Sequence, residues 1–153
     1  MSTPLTRAAH AADFEAVLAL WRDLSGDVAE GDAARAIYLD LIGRPGVTVF
    51  VAEDEGVPAA TCTLIVVPNL TRGGRPYALI ENVVTKADRL RRGLGRAVMA
   101  AALAAAWTAR CYKVMLLSSR TEESGVPAFY EGLGFRRDLK TGFQVNAPDR
   151  ADH

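Results

Sequence analysis

Glu81-Asn-Val-Val-Thr-Lys-Ala-Asp-Arg-Leu-Arg-Arg-Gly-Leu-Gly-Arg-Ala-Val98 is the stretch on which the reading of this chain turns. A β-branched run passes into a turn crowded with arginine and glycine, and the turn opens into an alanine-rich segment of helical composition. A junction of that kind aims several backbone N–H groups and the positive end of a helix dipole at one point, which suits a pyrophosphate. Lys86, Arg89, Arg91, Arg92 and Arg96 crowd the turn, opposed within it only by Asp88, in a chain with formal net charge +0. The charge is therefore a local concentration and not a general basic bias.

Spacing separates the polyphosphate binders that share this layout. A P-loop requires Gly-Lys-Ser/Thr after the glycine loop, and here Gly95 is followed by Arg96-Ala97. A dinucleotide fingerprint requires a third small residue three positions after the second glycine, where this chain has Val98, and no βαβ repeat surrounds the loop. The six positions Leu90-Arg91-Arg92-Gly93-Leu94-Gly95 instead resemble the acyl-CoA loop of the GNAT N-acetyltransferases, written Q/R-x-x-G-x-G/A at the end of a central strand. Leu90 departs from that pattern, and Arg89 or Arg91 stands beside it to supply the charge.

A second segment strengthens the resemblance. Pro127-Ala-Phe-Tyr-Glu-Gly-Leu-Gly-Phe135 is similar to the family's closing helix and strand, F/L-Y-x-x-x-G-F. Phe129, Tyr130 and Leu133 recur at helical spacing, and Gly134 is placed to stop a helix in a left-handed conformation. Between the two motifs there is room for one long helix and one strand. The resemblance implies an α/β (α+β) GNAT fold, with a mixed sheet of about six to seven strands flanked by about four helices.

The rest of the chain is compatible. Its 153 residues, 50% of them hydrophobic, suit a single domain over residues 1–153 with a full core. No run is long enough to span a bilayer, and the first residues lack an apolar leader. Cys62 and Cys111 lie singly in apolar segments and read as small buried hydrophobes in a reducing, cytoplasmic setting. They and the two histidines, His10 and His153, show no metal-ligand spacing, so no metal is expected. The near-neutral pI of 6.7 argues against a nucleic-acid surface.

Periodicity predicts the element order. A strand over Leu5 to Ala8 precedes a helix capped by Asp13, with a buried stripe of Phe14, Val17, Leu18, Trp21 and Leu24. A second helix from Asp32 buries Ile37, Tyr38, Leu41 and Ile42 and stops at Gly43 and Pro45. Val47 to Glu53 and Ala59 to Val67 form a hairpin about Asp54-Glu55-Gly56. After an irregular loop, Tyr77 to Thr85 is a strand, Leu94 to Arg110 a helix, Tyr112 to Ser118 a strand and Val126 to Leu133 a helix. Phe135 to Asp138 and Gly142 to Val145 are expected as two closing strands. The polar tail from Asn146 is expected to fray.

The resemblance also implies roles. The strand Tyr77–Thr85 would hold the pantetheine arm of acetyl-CoA by main-chain pairing at Val83, Val84 and Thr85, with one amide facing the acetyl oxygen. The amides of Arg91, Arg92, Gly93, Leu94, Gly95 and Arg96 would hold the phosphates, helped by arginine charge. A charge-assisted hydrogen bond contributes about 1.5–3 kcal/mol net, so a few suffice. An ammonium cannot attack a thioester, and Glu81, a carboxylate flanked by Leu79, Ile80, Val83 and Val84, is the candidate general base. Alternation puts it on the face of Tyr77, Leu79, Val83 and Thr85, with Asn82 opposite unless a bulge intervenes. The other reading of Glu81 is an ion pair with an arginine at the sheet edge. Tyr130 is the candidate acid for the departing sulfur; its alternative is core packing. Ser118 and Ser119 either line the same cleft or serve as turn residues.

The acceptor is less legible. Ile80-Glu-Asn-Val-Val84 and Cys111-Tyr-Lys-Val-Met115 resemble segments of eukaryotic glucosamine-6-phosphate N-acetyltransferases, with Asn82 replacing an Asp. Arg72 and Arg75 either attract an anionic acceptor or solubilise a glycine turn. A primary amine on a small molecule is the expected acceptor, and a homodimer the expected assembly. Peptide or protein amines, or a catalytically weak CoA-binding sensor, remain the alternatives.

Overall fold

The computed structural model describes residues 3–118 and 124–150. They fall into two compact units, Met1–Leu116 and Leu117–His153. In the first unit the order is β1 (Leu5–Ala8), α1 (Phe14–Leu24), α2 (Gly31–Gly43), β2 (Val47–Asp54), β3 (Val57–Val67), a single turn α3 (Thr71–Gly74), β4 (Tyr77–Thr85), α4 (Leu94–Thr108) and β5 (Val114–Met115). The strands form one sheet in the order β1-β2-β3-β4-β5, antiparallel except for the parallel β4–β5 pair.

Cross-strand register assigns the faces. Val49 pairs with Thr63 and Val51 with Thr61, and these two valines pack with Phe14, Val17, Leu18, Ala34 and Tyr38 of α1 and α2. The opposite face carries Cys62, whose Sγ donates to the Val98 carbonyl of α4 at 3.7 Å. Thus α1 and α2 cover one side of the sheet and α4 the other, which explains why β3 is buried over most of its length. The alanines of α4, with Ala102 and Ala106 fully buried, let this helix lie close to the strands.

Several expectations change. The helix stripes are shifted: Leu20 is buried whereas Leu24 is exposed, and in α2 Ala34 and Tyr38 are buried whereas Ile37 is 59% exposed. Helix α4 ends at Thr108, not Arg110, because Arg110 adopts φ 67 and Cys111 N–H donates back to Ala106 O at 3.0 Å. The fifth strand is confined to Val114–Met115. Among the described residues the sheet has five strands, not six to seven, and there are five helical segments, one being the turn Thr71–Gly74 with left-handed Arg72 and Gly73 inside it.

In the second unit, α5 (Val126–Gly132) is followed by irregular chain where two strands were expected. Phe143 and Val145 are almost fully exposed there. Strand composition marks a segment that tolerates extended geometry; it does not supply a partner for the ladder. The end of α5 follows its sequence signal closely. Gly134 adopts φ 96, its N–H donates to Glu131 O, and Phe135 N–H reaches back to Tyr130 O at 3.1 Å. That paired closure needs a residue without a Cβ penalty at position 134.

Candidate functional site

The site begins with a fault in the β3–β4 ladder. Thr61 faces Val84 and Thr63 faces Glu81, so Asn82 and Val83 together stand opposite Cys62. The extra residue is accommodated by Asn82 at φ 51, a conformation that asparagine tolerates better than most residues. The bulge changes the parity expected from alternation. Glu81 and Val84 share the α1 side, Thr85 turns to the α4 side with Ala60, and Asn82 joins Glu81 instead of opposing it.

A bulge also increases local twist, and β4 diverges from β5 just here. The parallel pairing consists of Ala78 with Val114 and Leu79 with Met115 and goes no further. From Ile80 to Thr85 the β5-side edge of β4 has no strand partner among the described residues. An unpaired edge of this kind can take an extended ligand as an added strand. Val83, Val84 and Thr85 lie along it, all half-buried.

The edge leads into the arginine loop. Lys86 N–H donates to Ala59 O at 2.8 Å, a 3-10 turn occupies Ala87–Arg89, and Gly93 at φ 76 is the N-cap of α4. The first intrahelical bond runs from Ala97 N–H to Gly93 O. Leu94, Gly95 and Arg96 therefore precede it with their amides uncapped by any side chain of Gly93. Leu94 itself is buried, so its side chain anchors the helix and only its backbone is available. Arg91 holds φ 63, the left-handed region that side chains seldom occupy.

The basic residues divide. Asp54, at the end of β2, binds Arg89 Nε at 2.7 Å and Arg92 at 3.1 Å and so fixes the loop against the hairpin. Lys86, Arg91 and Arg96 have no ion pair among the described residues and are exposed. Nothing near the loop in sequence announces Asp54, which reads only as a hairpin residue. Glu81 is exposed and likewise has no ion pair among the described residues. Its cross-strand neighbour Thr63 carries a buried hydroxyl without a hydrogen-bond partner among the described residues, which alternation alone did not single out. Arg75 donates to the carbonyls of Arg110 and Cys111 at 3.0 Å each, and Arg72 lies over the Tyr112 ring.

Beside the bulge, α1, α2 and their connection enclose a cleft of about 310 Å³ that Asn82 lines from β4. Trp21 lines it too, and its indole Nε1 is buried without an acceptor among the described residues. Both cysteines are buried, and burial pushes the Cys62 thiol up to about 12 and raises Cys111 as well. In the second unit, Tyr130 is half-buried, its ring edge-on to Phe129 at 5.2 Å and to Phe135 at 6.0 Å. Ser119 lies outside the described residues.

The acetyltransferase (GNAT) family matches residues 14–135, so the chain belongs to the GNAT family and is an acetyl-CoA-dependent N-acetyltransferase. It is 34% identical over 120 residues to glucosamine 6-phosphate N-acetyltransferase of Trypanosoma brucei brucei, an alignment covering 74% of this chain and 79% of that protein. A solved structure from Agrobacterium tumefaciens str. C58, named as a candidate acetyltransferase, superposes with TM-score 0.86 and 45% identity, covering 94% of this chain and 99% of the other. A Trypanosoma brucei acetyltransferase superposes with TM-score 0.80 and 28% identity, covering 94% and 99%. Among the described residues no helix is long and apolar enough to cross a membrane, and no group of three or more His, Cys, Asp or Glu could hold a metal ion.

Proposed function

We propose that the chain, as one domain over residues 1–153, transfers acetyl from acetyl-CoA to a primary amine of a small molecule by direct attack in a ternary complex. The observation that carries this reading is the β4 edge, unpaired from Ile80 to Thr85 among the described residues, leading through the arginine loop into the uncapped start of α4. Val83, Val84 and Thr85 would bind the pantetheine arm through main chain. Arg91, Arg92, Gly93, Leu94, Gly95 and Arg96 would bind the diphosphate, and an edge amide would polarise the thioester carbonyl.

Direct attack is favoured over a covalent acyl-enzyme because both thiols are buried and burial raises their pKa, leaving no accessible thiolate. Glu81, exposed and without an ion pair among the described residues, would take the ammonium proton, directly or through water. Tyr130, on the strength of its motif, would return a proton to the CoA thiolate. The amine gains the acetyl group, the thioester bond breaks, and free CoA leaves. Reduced cysteines fit a cytoplasmic setting. The exposed Phe143 and Val145 fit pairing with a second copy into a homodimer.

Initial rates with both substrates varied test the order of events. Intersecting reciprocal plots are expected, and parallel plots would contradict direct transfer. Glu81→Gln and Tyr130→Phe should each lower kcat about 100-fold while acetyl-CoA affinity holds. Unchanged turnover would remove that residue from the chemistry.

A further inference from the structure

We propose that Thr63 of β3 is a positioning residue: its hydroxyl donates to the Glu81 carboxylate once substrates cover the sheet, and so fixes the direction from which that carboxylate takes the amine proton. The inference deepens the acetyl-transfer reading and rests on Glu81 as its base. Thr63 and Glu81 are paired in the β3–β4 ladder, so their side chains rise from the same face of the sheet. Directly opposed residues hold their Cβ atoms about 5 Å apart, within reach of a glutamate side chain laid across the neighbouring strand. Along β4 this is the last pairing before the ladder slips, since Asn82 and Val83 together stand opposite Cys62.

Two threonines on this face of β3 behave differently. Both are buried, but Thr61 donates to the Phe50 carbonyl at 2.7 Å and is satisfied within the sheet. The Thr63 hydroxyl has no partner among the described residues. Its neighbour on β2 is Val49, whose side chain has no acceptor; its neighbour on β4 is Glu81, whose carboxylate has two oxygens. A buried hydroxyl without a partner destabilises the fold, so its place beside the candidate base calls for a use in the reaction. Glu81 is exposed, and water solvates its carboxylate before substrates bind. A bound acyl arm and amine displace that water, and the carboxylate then takes the donor beside it. With one oxygen held by Thr63, the other is turned to the amine, whose proton it accepts while Thr63 keeps its own.

The test is thiol release by the full chain with acetyl-CoA, using glucosamine 6-phosphate and 2-phenylethylamine as acceptors. Thr63→Val keeps the shape and removes the hydroxyl. It should lower kcat about ten-fold and leave both KM values within about two-fold, while resistance to urea holds or rises because an unpartnered polar group is gone. Thr63→Ser, which returns the hydroxyl, should restore most of the turnover. In a Glu81→Gln background, Thr63→Val should lower kcat by less than about two-fold further, because its effect runs through that carboxylate. An unchanged kcat in Thr63→Val, a loss that Thr63→Ser does not restore, a fall in urea resistance, or a full further loss in the Glu81→Gln background overturns the inference while acetyl transfer stands. Wild-type turnover in Glu81→Gln removes the base and this inference together, and no thiol release with either amine brings down the small-amine reading as well.

Discussion

Arg7 on β1 is held on both sides. Its guanidinium donates to both carboxylate oxygens of Asp13, at 2.7 and 2.9 Å, and to Glu53 at 2.8 Å. Asp13 also accepts from the His10 amide at 2.8 Å, and the Tyr38 hydroxyl donates to the His10 carbonyl, so the cluster ties β1 and β2 to α2. In the loop after β4, arginines are as dense, yet among the described residues only Arg89 and Arg92 meet a carboxylate from elsewhere in the fold, and both share Asp54. Arg91 and Arg96 face solvent, one of them in a strained left-handed conformation. The contrast is informative about purpose. A cation neutralised by its own chain contributes to folding; a cation kept exposed, with strain, beside uncapped helix amides is available to a ligand.

Substitutions can break that contrast from either side. Asp13→Ala leaves the partly buried Arg7 guanidinium with Glu53 alone and should cost about 3 kcal/mol of stability, read by urea unfolding, with the KM for acetyl-CoA unmoved. The Arg7 hydrogen bonds hold the Asp13 carboxyl below its ordinary range. The folded state therefore binds fewer protons than the unfolded one. This stability is complete above the usual carboxylate pKa and fades as pH falls through the depressed value. Acid unfolding of wild type should show that loss, and Asp13→Asn should flatten it. The converse substitution, Arg91→Ala with Arg96→Ala, should raise the KM for acetyl-CoA about 30-fold, with stability changed by only about 0.5 kcal/mol or less. Asp54→Asn loosens Arg89 and Arg92 without removing them, so a rise of about three-fold in that KM is expected. A loss of stability on removing Arg91 and Arg96, matching that of Asp13→Ala, would erase the distinction.

What the sequence discloses follows the range of the interactions involved. Turn and helix-stop signals are local, so Asp54-Glu55-Gly56 and Gly134 are legible as written. The helix start at Leu94 is equally clear, because glycine and arginine chemistry is concentrated within a few residues. Asn82 is different. Its φ of 51 depends on β3 supplying one residue against two, and strict alternation consequently misplaces Asn82 and Thr85. Asp54 clamps a loop far along the chain, which no local pattern reports. The apolar cleft emerges only when α1 and α2 are set against the bulge; Ile37, read as core, proves to be one of its exposed walls. The closing strands fail for the same reason, since pairing partners are not encoded in composition.

The diphosphate site is the claim on which the chemistry depends, and calorimetry with CoA against pantetheine addresses it most directly. Pantetheine keeps the arm that would lie along β4 and lacks the diphosphate. The account predicts that CoA binds at least about 100-fold more tightly, and that Arg91→Ala with Arg96→Ala removes most of the difference. Equal affinities for the two ligands would contradict it.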